Sequence, residues 1–213
     1  MNPARIIPIV VILLAVASRA GAQDPPPKIP LFVFDIHGTV PRFPSTQPLA
    51  DSRNMQLAEL PGVGLGLQAS VHLYPVRWRG ITFGIGGEVT GSRSRSQPPA
   101  TNANLRSAEE KFLSAAPQLS FNFGTGNGWS YLSGGIGLAQ WSLIPAGQNP
   151  FTSDTDRLKT INYGGGARWF AKTHVAFSFD VRFYAINPGT PYLGYPGSPR
   201  TTLMIIGAGV SLK

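Results

Sequence analysis

Residues 160–186 read TINYGGGARWFAKTHVAFSFDVRFYAI. The spacing predicts two β-strands joined by a tight turn at 171–174. In the second strand Val175, Phe177, Phe179, Val181, Phe183 and Ala185 fall on one face, and Ala176, Ser178, Asp180, Arg182 and Tyr184 on the other. Side chains alternate across a strand, so this segment has one apolar wall and one polar wall. In a soluble sandwich the apolar wall faces a core; in a transmembrane barrel it faces lipid and the polar wall faces the lumen.

The same period of two recurs on either side. Residues 31–40 form a first strand that Pro41 is expected to end. Residues 62–74 alternate most cleanly, with Val63, Leu65, Leu67, Ala69, Val71 and Leu73 on one side and Gly64, Gly66, Gln68, Ser70, His72 and Tyr74 on the other. Further strands are expected at 81–91, 115–124, 129–141 and 201–212. Residues 104–113 fit either a short helix or an upward extension of the fourth strand. The connections alternate without exception: long at 41–61, 92–114, 142–159 and 187–200, and short at 75–80, 125–128 and 171–174. The expected fold is therefore all-β, an eight-stranded antiparallel up-and-down transmembrane β-barrel with short periplasmic turns and long extracellular loops. The strands are close to the ~9–11 residues that a tilted spanning strand needs.

Residues 1–22 look like a secretory signal: Arg5 precedes an apolar run at 6–17, and Ala20-Gly21-Ala22 has the small-x-small form of a cleavage site. Residues 23–30, QDPPPKIP, are expected to be a proline-rich spacer and 31–213 the barrel. The chain has no cysteine, so an exported form must hold together by backbone pairing and packing. Removing Arg5 and Arg19 from a formal net charge of +8 leaves about +6. Only 13% of residues are charged and the bases are scattered. That argues against nucleic acid and fits either anionic headgroups or simple solubility.

Glycines 64, 66, 84, 86, 135, 137, 164, 166, 207 and 209 all fall on the expected inner face, where a narrow barrel has little room. GIGG and YGGGA do not fit a phosphate-binding loop, and no cofactor is expected. Trp78, Trp129 and Trp169 lie near the three short turns and Trp141 at the opposite end of its strand, which suggests aromatic girdles at the two membrane margins.

With this rhythm, NYGGGARWF followed by a short turn, and AFSFDVRFYAI, the chain over about residues 31–213 resembles the small eight-stranded outer-membrane barrels of the OmpA/OmpX-like family. The resemblance implies location in a Gram-negative outer membrane, insertion by the barrel assembly machinery, lipid and lipopolysaccharide as neighbours, and a monomer. Members of that family usually end on an aromatic residue; here the end is Val210-Ser211-Leu212-Lys213.

The inward ionisable residues are Asp35, His37, His72, Glu88, Arg168, Asp180 and Arg182, expected to form a structural polar network, with a proton path or catalytic group as the functional alternative. Arg93, Arg95 and Arg106 are candidate lipopolysaccharide contacts, and Tyr192 and Tyr195 a candidate surface tip. Three histidines without an i, i+2 partner give no metal pattern. The functional expectation is a structural or interaction barrel that presents surface loops and is not a general porin. A lipocalin-like soluble barrel with an apolar ligand is the alternative, because alternation alone does not say which wall is wet. A lipid A-modifying enzyme is a weaker alternative, since the His-x-Ser pattern of the deacylases is absent.

Overall fold

The computed structural model describes residues 27–97 and 104–213; the expected signal at 1–22, spacer residues 23–26 and residues 98–103 of the second long connection lie outside them. Eight strands form in chain order: β1 (Phe32–Arg42), β2 (Leu65–Trp78), β3 (Ile81–Ser96), β4 (Ala108–Thr125), β5 (Gly128–Pro145), β6 (Leu158–Phe170), β7 (Val175–Ile186) and β8 (Thr201–Leu212). Each pairs antiparallel with the next. β1 pairs with β8 from Phe34↔Leu212 to Arg42↔Met204, so the sheet is a closed barrel with no free edge. Connections 79–80, 126–127 and 171–174 lie at one end; 43–64, 97–107, 146–157 and 187–200 lie at the other.

The alternation has the wet and greasy sides as the lipid-facing reading requires. Phe177, Phe179, Leu119, Ile136 and Leu67 are exposed on the outer wall, whereas Asp180, Arg182, Gln118 and Gln68 are buried inside. Among inward positions, Gly84 leaves room for the Tyr74 ring: a Cβ there would sit 2.7 Å from its carbons. Gly166 does the same for Tyr131, whose hydroxyl would be 2.7 Å from an added Cβ.

Four expected boundaries change. Pro41 does not end β1; its carbonyl accepts from Gly64 N at 3.1 Å and the strand runs on to Arg42. β3, β4 and β5 overshoot the apolar band at the long-loop end, so 104–113 resolves as strand from Ala108 onward rather than helix. Glu109 supports the extension: it faces Arg95 across the β3–β4 pair and also pairs with Arg93 and Lys111, which offsets the like-charge pairing of those two. The expected turn at 75–80 is mostly strand, because a bulge between Leu73 and Val76 absorbs Pro75 and leaves a two-residue turn in which Arg79 takes φ 53°. Residues 27–30 are not a free spacer. Ile29 is buried against Val33, Tyr74 and Trp129, and Gly126 N donates to the Pro27 carbonyl at 2.5 Å. The N-terminal segment thus stops the short-turn end of the barrel.

An outward position in the middle of the band should reject charge. Phe179→Arg is expected to cost ~2–4 kcal/mol in a bilayer. Reversible unfolding in lipid vesicles, compared with wild type, measures it.

Candidate functional site

Two ion clusters fill the middle of the lumen. In the first, Asp35 on β1 receives Arg168 of β6 through two bonds, Nε to Oδ1 at 2.8 Å and Nη2 to Oδ2 at 2.7 Å. Ser70 Oγ and Ser211 Oγ donate to the same carboxylate at 2.9 and 2.5 Å. In the second, Glu88 is met by Arg182 Nε at 2.8 Å, by Gln68 and Gln118 Nε2 at 2.8 and 3.0 Å, and by the Tyr184 hydroxyl at 2.5 Å. Arg182 also bonds Asp180, with Nη2 3.1 Å from Oδ2, and donates to Ser133 Oγ at 2.8 Å. Tyr131 joins the two clusters: Arg168 lies 4.0 Å over its ring, and its hydroxyl donates to Asp180 at 2.7 Å. Such charge-assisted, two-pronged pairs are the form in which buried guanidinium groups are tolerated.

The inward face turns apolar at the long-loop end. Phe112, Trp141, Leu158, Tyr184, Ile186, Leu203 and Ile205 form a core there, completed by Phe43, Leu49, Ala50, Met55 and Leu60. Those last five come from the first long connection, which folds down as a lid carrying a short helix, Gln47–Asp51, and a 3-10 turn, Leu57–Glu59. Two ion pairs latch it. Arg53 Nη2 donates to Asp154 Oδ1 at 2.8 Å, and Asp154 in turn accepts from Leu143 N and Phe151 N at 2.9 and 2.7 Å. Glu59 Oε1 accepts from Arg106 N at 2.6 Å and Arg106 Nε at 3.1 Å. Burial raises the Glu59 carboxyl, but the bonds from Arg106 outweigh it and hold the group below its ordinary value.

All seven inward ionisable residues lie inside the barrel, but not as one group. Asp35 pairs with Arg168, and Arg182 takes Glu88 and Asp180. His37 is hydrogen-bonded to Ser178 Oγ at 2.7 Å, and His72 stacks on Tyr74. Trp78 and Trp169 are outside, each 59% exposed. Trp129 and Trp141 are corrections to the girdle, being 3% and 2% exposed and turned inward. Both share odd parity with Tyr131 and Ser133 on β5. Trp129 packs on Phe170 and Tyr74, and Trp141 Nε1 donates to Glu110 Oε1 at 2.7 Å. Arg93 and Arg95 stand on the outer face of β3, not in a loop. Arg106 is committed to the lid latch and is no free surface cation. Tyr192 and Tyr195 bond each other's backbone across a tight turn and both pack edge-on against Phe151; the exposed apex is Leu193, at 78%.

The lid and its latches were missed from sequence. The signal for the apolar layer is the inward parity of Leu203, Ile205 and Ile186, which places oil inside at one end. Arg53, Glu59 and Asp154 sit in the long connections, in or beside helical turns too short for a periodicity to mark them.

No family model and no curated protein matches the chain. Among solved structures it is similar to Neisserial surface protein A, at 14% identity and a TM-score of 0.55, over 86% of this chain and 97% of that one. The outer membrane protein OprG from Pseudomonas aeruginosa aligns over 89% of this chain and 98% of its own, at 11% identity and a TM-score of 0.48. The first likeness establishes the fold, a closed eight-stranded antiparallel barrel.

Asp35→Ala strands Arg168 inside the barrel and is expected to cost ~3–5 kcal/mol, while Asp35→Leu combined with Arg168→Met recovers most of it. Urea unfolding in detergent checks both. The Glu59 latch has its carboxyl held below the ordinary carboxylate value, so its contribution is full at neutral pH and is lost as pH falls through that lowered folded value. The Arg106 amide resonance should titrate with that low midpoint, and Glu59→Gln should abolish the step.

Proposed function

We propose that the protein is an outer-membrane barrel of a Gram-negative-type bacterium, akin to the OmpA/OmpX-like group, exported by its N-terminal signal and inserted as a monomer by the assembly machinery. It stabilises the membrane and displays a lidded surface, and it does not conduct solutes. One observation carries this reading: a continuous collar of exposed apolar side chains surrounds a charged interior. Water-soluble monomers rarely expose apolar patches of that extent. A lipocalin-like carrier needs the opposite arrangement, with its oil inside along the ligand cavity, whereas here the middle of the lumen is filled by ion pairs.

The margins of the collar support the same orientation. Exposed Arg42, Arg93, Lys111 and Lys159 stand just beyond the apolar residues of their strands at the long-loop end. Trp78 and Trp169 stand at the short-turn end. Basic side chains suit a headgroup layer rich in phosphate, and indoles suit an interface. Against conduction stand the lid at one end, the Ile29 stop at the other and the clusters between them. Against a lipid A-modifying role, the nearest histidine–hydroxyl pair, His37 with Ser178, is buried in the lumen away from the lipid face.

Cells expressing the protein should yield it in the outer-membrane fraction; recovery in a detergent-free periplasmic extract would overturn the proposal. Purified protein in planar bilayers should give no steady conductance above the lipid baseline, and porin-like steps would overturn the sealed-barrel part.

A further inference from the structure

Six acids are buried among the described residues, and five of them are paired. Asp35 meets Arg168, Glu88 and Asp180 meet Arg182, Asp154 meets Arg53 and Glu59 meets Arg106. Glu110 has no cation. Its Oε1 accepts the Trp141 indole N–H at 2.7 Å, and its Oε2 has no partner. It stands on the inner wall of β4, past outward Lys111 and so beyond the apolar band, at the level of the oily mouth that the lid covers.

What surrounds Glu110 offers it little. Its cross-strand neighbour on β3 is Ser94, whose hydroxyl donates to the Val63 carbonyl instead. On β5 it has Leu143 and Trp141. Strands β6 to β8 bring Leu158, Leu203, Ile205 and Tyr184 to the same core, and the Tyr184 hydroxyl is spent on Glu88. From the lid comes Arg53, whose Nε donates to the Leu143 carbonyl at 3.2 Å while its Nη2 holds Asp154. The charged groups nearest Glu110 are thus the two halves of a lid latch. Burial pushes the Glu110 carboxyl well up, against the weaker pull of Trp141 and Arg53.

The lid has the form of a flap. Its two ends are stitched together at the stem, where Phe43 N donates to the Gly62 carbonyl at 2.9 Å and Gly64 N to that of Pro41 at 3.1 Å. Residues 44–61 hang from that stem, held down by their apolar side chains and by the two latches. A charge does not stay unpaired in such a layer: an ionised Glu110 requires water or a cation. Water enters if the lid lifts. Arg53 swung down onto Glu110 no longer fastens Asp154. Either response loosens the lid.

We propose that Glu110 is a proton-operated catch: protonated, it lies beneath a closed lid, and ionised, it releases the lid and opens the apolar mouth to water. The middle of the lumen stays filled by its ion pairs, so release bares a recess and not a pore. The closed lid binds the Glu110 proton more tightly than the open one. Its contribution to closure is therefore full below the ordinary carboxylate range, declines as pH rises above that range, and is gone beyond the raised closed-state value. Glu59 acts in the opposite sense and lets go in acid. The catch is independent of the outer-membrane reading, which membrane fractionation decides separately.

The chain has no cysteine, so nitroxide labels can be placed through Leu57→Cys on the lid and Leu138→Cys on the outer wall, both exposed positions. Double electron–electron resonance on the detergent-solubilised protein then reads the lid position from about pH 5 to about pH 9, the span between free and deeply buried glutamates. The closed distance should dominate at the acid end. The open-to-closed ratio should rise at least about tenfold toward the basic end, since each pKa unit is tenfold in that equilibrium. The Trp141 indole N–H resonance, assigned through Trp141→Phe, should titrate with the same midpoint. Glu110→Gln keeps an acceptor for Trp141 without the titration and should hold the lid closed throughout. Glu110→Met should do the same, and retained heat-modifiable gel migration certifies that each variant is folded. A lid distance that stays constant across the range in wild type would overturn the proposal. So would a release that persists in either folded variant, or one whose midpoint departs from that of the indole.

Discussion

A guanidinium group inside a narrow barrel has to find a carboxylate, and Arg168 finds Asp35 across the lumen. Much of the interior is arranged around that requirement and its counterpart at Arg182. Asp35 uses its remaining oxygen capacity on Ser70 and Ser211, so one carboxylate draws on β1, β2, β6 and β8. Glu88 likewise gathers β2, β4 and β7. The glycines and small polar residues of the inner wall are the complement of these bulky pairs, since room for Tyr131 and Tyr74 exists only where Gly166 and Gly84 carry no side chain. A half-satisfied network of this kind would cost more than an apolar filling, and for that reason its members answer one another across strands.

The lumen is layered, and each layer closes the barrel by different means. Near the short turns, Ile29 from the N-terminal segment packs on Trp129 and Tyr74. The middle is ionic. Near the long loops the filling is apolar, and its upper half arrives from outside the sheet as the lid. The lid is held by two unlike fastenings. The Arg53–Asp154 pair is fully buried and ties the lid to the third long connection, while Glu59 is buried against a partly exposed Arg106 on the second.

Strand order, closure and the wet and greasy walls were legible because a period of two is robust: slipping the register by one residue would turn every phenylalanine of β7 into the lumen. The same rule, applied strictly, places Trp129 and Trp141 inside, since both share parity with Tyr131. Proximity to turns was the weaker guide. Trp78 shows the converse. Its even number puts it on the inner wall with Gln68 and His72, and only the bulge at Leu73/Val76 brings it out. A bulge is a local backbone decision that alternation does not encode, although Pro75 marks the place. Which acid each arginine chose was not legible either, because strand tilt and stagger set the height at which side chains from distant strands meet. The lid lay in a proline-containing stretch whose apolar residues follow no regular period, so its inward fold emerges only from the vacant oily mouth that it fills.

Asp35 has a further consequence. Its partners Arg168 and Ser211 stand 133 and 176 positions along the chain. The first contact crosses the lumen from β6, and the second forms only when the last strand has reached the first. Structure dominated by such distant pairings assembles slowly, because the entropy of closing the largest loop is spent before any of these contacts forms. The unfolded chain therefore keeps its arginines hydrated, and the Asp35 cluster is completed only with the closure of the β1–β8 seam.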